Sequence, residues 1–325
     1  MYGVWLHASL DGRTLTNTAF RTEHLSRHFG AVRALDDLSL QVPTGAVFGL
    51  LGPNGAGKTT TIRLLLGLLE PTSGRAEVLG FDPATQGQAI RDRVGALLEH
   101  TGLYERLSAE DNLDYFASIW GMEGAAKRDR IRELLSHFGL WERRGDRVGT
   151  WSRGMKQKLA IARTIVHRPA LVFLDEPTAG LDPAASVALR EDIVALAREN
   201  ATTVFLTTHN LTEAERVCSL IGVIRGGTLV ALGEPAQLRT RAGKGVVRVT
   251  GSGFTANGTA EALRARPDVA DVNVTADELE IIPNGRLETS ALLPWLLERG
   301  ATIDEIRRET ASLEDVYLSL MEDER

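Results

Sequence analysis

The sequence predicts an α/β fold in which a parallel sheet carries a phosphate-binding loop, followed by a small α+β domain. Three observations support this fold class. A short apolar run, a glycine-rich turn and a helical pattern follow one another over residues 46–67. Two later apolar runs, at residues 170–174 and 203–208, end in polar residues, as strands do where ligands lie beyond their carboxyl ends. Beyond residue 246, short strand and helix patterns alternate.

The glycine-rich turn has the composition of a loop that binds a nucleoside triphosphate. Small residues let successive backbone N–H groups approach one anion, so Gly52, Gly55 and Gly57 suit the turn. Lys58 supplies positive charge for the outer phosphates, and the Thr59 hydroxyl is a ligand for Mg²⁺. A plain glycine-rich surface turn is the alternative, and the flanking strand and helix argue against it. The predicted nucleotide-binding residues of this loop are Gly52, Pro53, Asn54, Gly55, Ala56, Gly57, Lys58, Thr59 and Thr60.

Composition limits the classes of function. The chain has 325 residues, which favours one large and one small domain, and 43% of them are apolar, enough for a core. A net charge of −6 argues against nucleic acid as a partner. With Cys218 as the only cysteine, no internal disulfide can form, and the simplest interpretation is a small core residue in a helix. We find neither a signal peptide pattern nor an apolar stretch of about 20 residues, so we expect a cytoplasmic protein.

The first part of the chain leads into and out of the phosphate loop. Residues 1–21 are weakly patterned and predicted to be an N-terminal extension, whereas residues 23–41 alternate as antiparallel strands. Phe29, in a turn between them, suits either stacking on an adenine ring or half-burial in the turn. A strand over residues 94–99 ends at Glu99, and residues 100–168 form a helical insert that includes a capping box at Ser108.

Polar residues at the ends of the next two strands predict catalytic chemistry. Asp175 directly follows four apolar residues and is placed to hold Mg²⁺, while Glu176 could deprotonate an attacking water. As an isolated pair, these carboxylates would equally well cap a helix. His209, at the end of the following strand, suits donation to a γ-phosphate or a capping role.

A second anion-binding element is predicted where the helix after Trp151 begins. Ser152 is a good N-cap, and Gly154 leaves the helix N-terminus open to a phosphate. An ordinary capped helix is the alternative interpretation.

The last part of the chain predicts a separate domain. A hairpin at residues 221–232 closes the first domain, and residues 237–245 form the boundary. The β-α-β-β-α-β order over residues 246–309 resembles a ferredoxin-like unit. A final helix from Ser312 has an apolar stripe at Leu313, Val316, Tyr317 and Leu320, for packing on its own strands or on a second subunit.

Taken together, the motifs resemble the ATP-binding subunit of an ABC transporter, a P-loop NTPase. Residues 52–59 are similar to Walker A and residues 171–175 to Walker B, with Glu176 as the catalytic carboxylate. Residues 151–155 resemble the signature motif in the form common among export systems, and residues 179–182 resemble the D-loop. His209 corresponds to the switch histidine and Phe29 to the adenine-stacking aromatic. The resemblance covers about residues 22–240.

The resemblance implies ATP and Mg²⁺ as cofactors and a head-to-tail pair of ATPase subunits. Ser152, Gly154 and Met155 of one subunit, with Asp182, would then act at the ATP of the other, and two copies of this chain could supply both sites. It also implies a separate integral membrane permease, which would hold the chain at the cytoplasmic face of the cell membrane. The tail at residues 308–317 resembles subunits that export drugs, antibiotics or polysaccharides.

One residue departs from the family pattern. Glu99 stands where a glutamine is usual, so it can offer an oxygen to Mg²⁺ but has no amide donor. A soluble ABC-type ATPase and an ATP-switched regulator are the alternatives to transport. The predicted domains are therefore an ATPase domain at residues 22–240, with a helical subdomain at about 100–168, and an accessory domain at 246–325.

Overall fold

The computed structural model describes residues 18–200, 202–241, 246–255, 258–284, 287–309 and 312–322. Residues 1–17 of the predicted extension lie outside this range. The chain divides after Glu234 into two compact units, which are described separately. No helix of the described residues is both long enough and apolar enough to cross a membrane.

The first unit contains nine strands and seven α-helices in its described part. Its strands are β1 (Thr18–Phe29), β2 (Val32–Pro43), β3 (Val47–Leu51), β4 (Ser73–Val78), β5 (Val94–Leu97), β6 (Leu171–Asp175), β7 (Thr203–Thr208), β8 (Leu220–Arg225) and β9 (Thr228–Gly233). Its helices are α1 (Lys58–Leu65), α2 (Pro83–Arg91), α3 (Ala109–Ile119), α4 (Gly124–His137), α5 (Arg153–Thr164), α6 (Pro183–Asn200) and α7 (Leu211–Val217). The α/β class and the predicted strand-loop-helix succession are confirmed.

The strands form two sheets. The larger has the order β5-β6-β7-β3-β8-β9, and its pairings are parallel except for the hairpin of β8 and β9. The three strands β3, β6 and β7 are buried along their whole length, which explains their continuous apolar sequences. The smaller sheet, β2-β1-β4, is antiparallel.

Four phenylalanines join the two sheets. Phe20 of β1 lies with its ring centroid 5.9 Å from that of Phe48 on β3 and 5.5 Å from that of Phe205 on β7. Phe173 on β6 extends the group, 5.5 Å from Phe205. All four side chains are fully buried. The strand that leads into the phosphate loop therefore rests on the aromatic core between the sheets.

The helical insert between β5 and β6 contains α3, α4 and α5. Ser108 caps α3 by accepting a hydrogen bond from the N–H of Asp111 at 3.0 Å, as the capping-box pattern predicts. The buried guanidinium of Arg130 on α4 donates to the carbonyl oxygens of Ile165 and Val166 just beyond α5. These bonds satisfy the orphan carbonyls at the end of α5 and fix α4 against it.

The second unit begins with α8 (Pro235–Arg241) and contains a four-stranded antiparallel sheet. Its further elements are β10 (Val246–Ser252), α9 (Thr259–Arg264), β11 (Val269–Val274), β12 (Glu278–Pro283), α10 (Thr289–Glu298), β13 (Thr302–Glu309) and α11 (Leu313–Glu322). The sheet order is β11-β12-β10-β13. The element order agrees with the sequence, and assignment to the ferredoxin-like folds stays a prediction. On α11, Leu313 and Val316 are buried and Tyr317 is half-buried, while the side chain of Leu320 lies outside the described residues.

Two local expectations differ from the structure. Residues 18–21, taken as part of the extension, belong to β1. Cys218 follows the last residue of α7 instead of lying within a helix. Burial raises the pKa of its thiol, and the nearby Glu213 adds to this effect, so Cys218 is an inert core residue.

Candidate functional site

The glycine-rich loop leaves the carboxyl end of β3, the strand between β7 and β8 in the larger sheet. A Cβ on Gly52 would overlap the carbonyl oxygen of Ile224. Gly57 has a φ of 106°, and a Cβ there would overlap the carbonyl oxygen of Ala34. Both positions therefore require glycine, because the loop passes so close to β2 and β8.

Lys58 points back into this loop. Its buried Nζ donates to the carbonyl oxygen of Gly52 at 2.7 Å and to that of Pro53 at 3.3 Å. The same Nζ lies 3.3 Å from Oε1 of Glu176. A cation enclosed by the loop in this way gives it the positive charge that a phosphate requires.

Asp175 brings together two elements at the end of β6. Its Oδ2 accepts a hydrogen bond from Oγ1 of Thr59 at 2.7 Å, and its Oδ1 accepts one from Oγ1 of Thr207 at 2.5 Å. A carboxylate beside a hydroxyl oxygen, next to the phosphate loop, is the hard oxygen set that Mg²⁺ prefers. The residues present fit this ion with substrate phosphates and water completing its shell, because Mg²⁺ needs few protein ligands.

Glu176 has an unusual backbone conformation, with a φ of 48°. Its N–H donates both to the carbonyl oxygen of Thr207 at 3.2 Å and to Oγ1 of Thr207 at 3.0 Å. Its carboxylate lies between two cationic or potentially cationic groups, with Oε1 near Lys58 and Oε2 3.2 Å from Nδ1 of His209. The structure thus gathers Lys58, Thr59, Asp175, Glu176 and His209 at one edge of the sheet.

Other residues singled out by the sequence form no hydrogen bond or ion pair with this group in the part of the chain that the structure describes. No hydrogen bond or ion pair of the described residues joins Ser152, Gly154 or Met155 to residues 52–60. Ser152 caps α5 by accepting from the N–H of Met155 at 3.3 Å, and Asp182 caps α6 by accepting from the N–H of Ala185 at 2.9 Å.

Phe29 and Glu99 have partners of their own. Phe29 ends β1 with a half-exposed ring, and the guanidinium carbon of Arg27 lies 4.6 Å from the ring centroid. Glu99 follows β5, and its Oε1 accepts a hydrogen bond from Arg63 of α1 at 3.1 Å. Both partners are exposed, so this pair contributes little to stability.

Thr207 and Glu213 are site residues that the sequence did not reveal. Thr207 binds the side chain of Asp175 and the backbone of Glu176. Buried Glu213 of α7 accepts hydrogen bonds from the hydroxyls of Thr178 at 2.7 Å and Thr208 at 3.1 Å. A threonine near the end of a buried strand was the available signal, but threonine is common in strands for other reasons.

Comparison with known proteins gives a consistent family. Residues 35–179 match the family described as "ABC transporter". The chain is 34% identical over 305 residues to the bacitracin transport ATP-binding protein BcrA of Bacillus licheniformis, covering 94% of this chain and 98% of that protein. It is 36% identical over 311 residues to the daunorubicin/doxorubicin resistance ATP-binding protein DrrA of Streptomyces peucetius, covering 94% and 93%.

Solved structures resemble about two thirds of the chain. A structure described as the ATP-binding subunit of an ABC transporter matches with a TM-score of 0.62 and 33% identity, over 69% of this chain and 93% of that one. The structure of cbiO1 from Clostridium perfringens, part of the ABC transporter complex cbiONQ, matches with a TM-score of 0.65 and 25% identity, over 69% and 91%.

Proposed function

The chain belongs to the ATP-binding subunits of ABC transporters, and we propose that it powers export of a drug, antibiotic, lipid or polysaccharide through a separate membrane permease. One observation carries the export assignment. The similarity to the bacitracin and daunorubicin proteins extends over 94% of the chain and so includes the second unit, beyond the ATPase part. The permease would hold the chain at the cytoplasmic face of the membrane.

The placement of the site residues supports a proposed role for each. Lys58 and the backbone of residues 52–60 bind the phosphates of ATP, and Phe29 offers its half-exposed ring to the adenine. Thr59 and Asp175 would hold Mg²⁺, which neutralises phosphate charge when bound. Glu99 is proposed as a further oxygen near this ion, provided that it leaves Arg63.

Glu176 is the proposed general base. An attacking water needs an acceptor for its proton beside the γ-phosphate, and Glu176 is the carboxylate next to Lys58. His209 orients that carboxylate through its 3.2 Å contact and is proposed to donate to the γ-phosphate. Thr207 keeps Asp175 and the backbone of Glu176 in place.

A second copy of this chain is the proposed partner in ATP hydrolysis. Ser152, Gly154 and Met155 lie at the start of α5, where N–H groups and the helix dipole favour an anion. In their own subunit they form no hydrogen bond or ion pair with the phosphate loop among the described residues. With Asp182, they would act at the nucleotide of the other copy.

ATPase activity of the chain with its permease tests this function. Reconstitution in vesicles with its permease should raise ATP turnover above that of the chain alone, and a transported compound should raise it further. The same ATP turnover with and without the permease would instead favour a soluble ATPase. ATP binding with no turnover in either setting would favour a regulator.

A further inference from the structure

The beginning of α5 contacts the loop that follows Glu176. Nε2 of Gln157 donates a hydrogen bond to the carbonyl oxygen of Pro177 at 2.7 Å. Arg153 lies four residues earlier, on the same face of the helix. Its guanidinium covers Gly180 so closely that a Cβ on Gly180 would overlap Nη1. Two side chains of α5 therefore contact residues 177–180.

The helix also approaches α6, into which this loop leads. A Cβ on Gly154 would lie 3.1 Å from the Cβ of Ala185, tighter than ordinary contact. This close approach leaves α5 little room to shift relative to the end of the loop.

The other side of the loop is bound to α7. The hydroxyl of Thr178 donates to the buried carboxylate of Glu213 at 2.7 Å, and the same oxygen accepts from Thr208, next to His209. The loop is thus held between α5 and α7. Because Glu176 sits at its start in the left-handed region, a displacement of the loop changes the direction of its carboxylate.

We propose that Gln157 and Arg153 are positioning residues that couple the start of α5 to the general base of the same subunit. The inference rests on the proposed function, in which this start of α5 closes on the ATP of the other copy. A subunit that has engaged its partner's nucleotide would then hold its own Glu176 in the hydrolytic position. Neither side chain needs to touch ATP for this role.

Gln157→Leu in the reconstituted complex tests the coupling. Leucine has a similar volume but no donor, so kcat for ATP should fall about three- to tenfold, the factor that one neutral hydrogen bond is worth, while KM stays unchanged. Lys156→Met is the matched control on the same helix, because Nζ of Lys156 pairs with Glu105 at 2.7 Å instead of the loop. Arg153→Ala, at an exposed position, should repeat the result if Gln157→Leu folds poorly.

A double-mutant cycle with Glu176→Gln tests whether Gln157 acts on hydrolysis through the carboxylate of Glu176. If Gln157 acts through the carboxylate, adding Gln157→Leu to Glu176→Gln should cost nothing more in residual single-turnover hydrolysis. The coupling would be overturned if Gln157→Leu lowered hydrolysis by the same factor in the Glu176→Gln background. It would also be overturned if Gln157→Leu alone left kcat unchanged, or if it weakened ATP affinity as much as it lowered kcat. Near-normal turnover of Glu176→Gln itself would instead show that Glu176 is not the general base, and would therefore contradict the proposed function.

Discussion

Glu176 combines strain with charge at one position. A side chain other than glycine in the left-handed region costs about 1–2 kcal/mol, and two hydrogen bonds from its N–H to Thr207 hold it there. The conformation sends the carboxylate toward Lys58 and His209. Local strain at this residue thus sets the geometry on which the proposed chemistry depends.

Replacing Glu176 by glutamine should separate binding from turnover. We expect Glu176→Gln to retain ATP binding while kcat falls about 10²–10⁴-fold, the usual contribution of a general base. Glu99→Gln makes the same exchange at an exposed carboxylate and should be tolerated, because glutamine keeps an oxygen for Mg²⁺ and is the residue usual in the family. Lys58→Ala should instead weaken ATP affinity, and nucleotide titration with steady-state ATPase assays distinguishes these results. Unchanged affinity in Lys58→Ala would contradict the phosphate-loop assignment.

His167 makes the stability of the first unit depend on pH. It stacks on Trp120 with 3.8 Å between ring centroids, and its Nε2 hydrogen-bonds the carbonyl oxygen of Val94. Its Nδ1 is buried without a hydrogen-bond partner among the described residues. Burial lowers the pKa of His167 to about 4, and the nearby Arg130 adds to this lowering.

The folded chain therefore binds this proton less readily than the unfolded chain, whose histidine titrates near 6.5. Stability should fall as the pH drops from 6.5 toward 4, by up to about 1.4 kcal/mol per pH unit. His167→Phe keeps the stacked ring but removes the titration. In urea unfolding, the free energy of unfolding of the wild type relative to the variant should fall by up to about 2 kcal/mol from pH 7.5 to pH 5. An equal difference at both pH values would show that folding does not lower the pKa of His167.

Secondary structure was predictable where one physical signal dominates. The strands β3, β6 and β7 have continuous apolar sequences because both their faces are buried, and α3 and α5 begin after serine caps. The edges of β1 and β4 were less predictable, because partly exposed strands mix polar and apolar residues. Side-chain pairs such as Lys58 with Glu176 and Arg63 with Glu99 could not be predicted, since they depend on which strands become neighbours.

β1 should be essential to the ATP site although it supplies no phosphate ligand. Phe20→Ala removes a fully buried ring that packs on Phe48 of β3, so we expect a loss of about 3–5 kcal/mol in the stability of the first unit. The apparent ATP affinity and the unfolding midpoint should fall together. Phe254→Ala is the matched control, because the same ring is lost from the core of the second unit. Equal effects of both variants on ATP binding would contradict the separation of the two units.

At the scale of the whole molecule, the proposed dimer would give each copy half of two composite sites. The loop, Asp175 and Glu176 would belong to one half, and the start of α5 with Asp182 to the other. The sequence indicated every member of these halves except Thr207 and Glu213. The proposal of a second copy rests on the family resemblance, because no residue pattern alone indicates it.

Mixing two inactive variants should restore part of the activity. Gly154→Asp adds a negative charge at the start of α5, beside Ala185 of its own subunit, and should oppose closure on the partner's phosphate, whereas Lys58→Ala removes the phosphate-binding cation. In a mixed dimer both defects can fall in one site and leave the other intact. We expect about a quarter of the wild-type ATPase rate if the copies pair at random. The assay belongs in the complex with permease, with mixed dimers confirmed by differential tags.

Mixtures that stay inactive despite confirmed mixed dimers would have a different meaning. Either the start of α5 would then act within its own subunit, or hydrolysis would require two intact sites at once. In both cases the proposal of independent composite sites fails.

The order of the larger sheet has a consequence for how the chain is made. β3 lies between β7 and β8, so Val47 pairs with Val204, and Phe48 with Leu220. A ribosome adding about 5–20 residues per second needs roughly 8–30 s to reach these partners after β3 has been synthesised. Throughout that interval the apolar strand before the phosphate loop has neither neighbour, and slow long-range pairing exposes such segments to aggregation. Packing of Phe48 on Phe20 of β1, which is synthesised earlier, is the contact that can cover this strand before the nucleotide site forms.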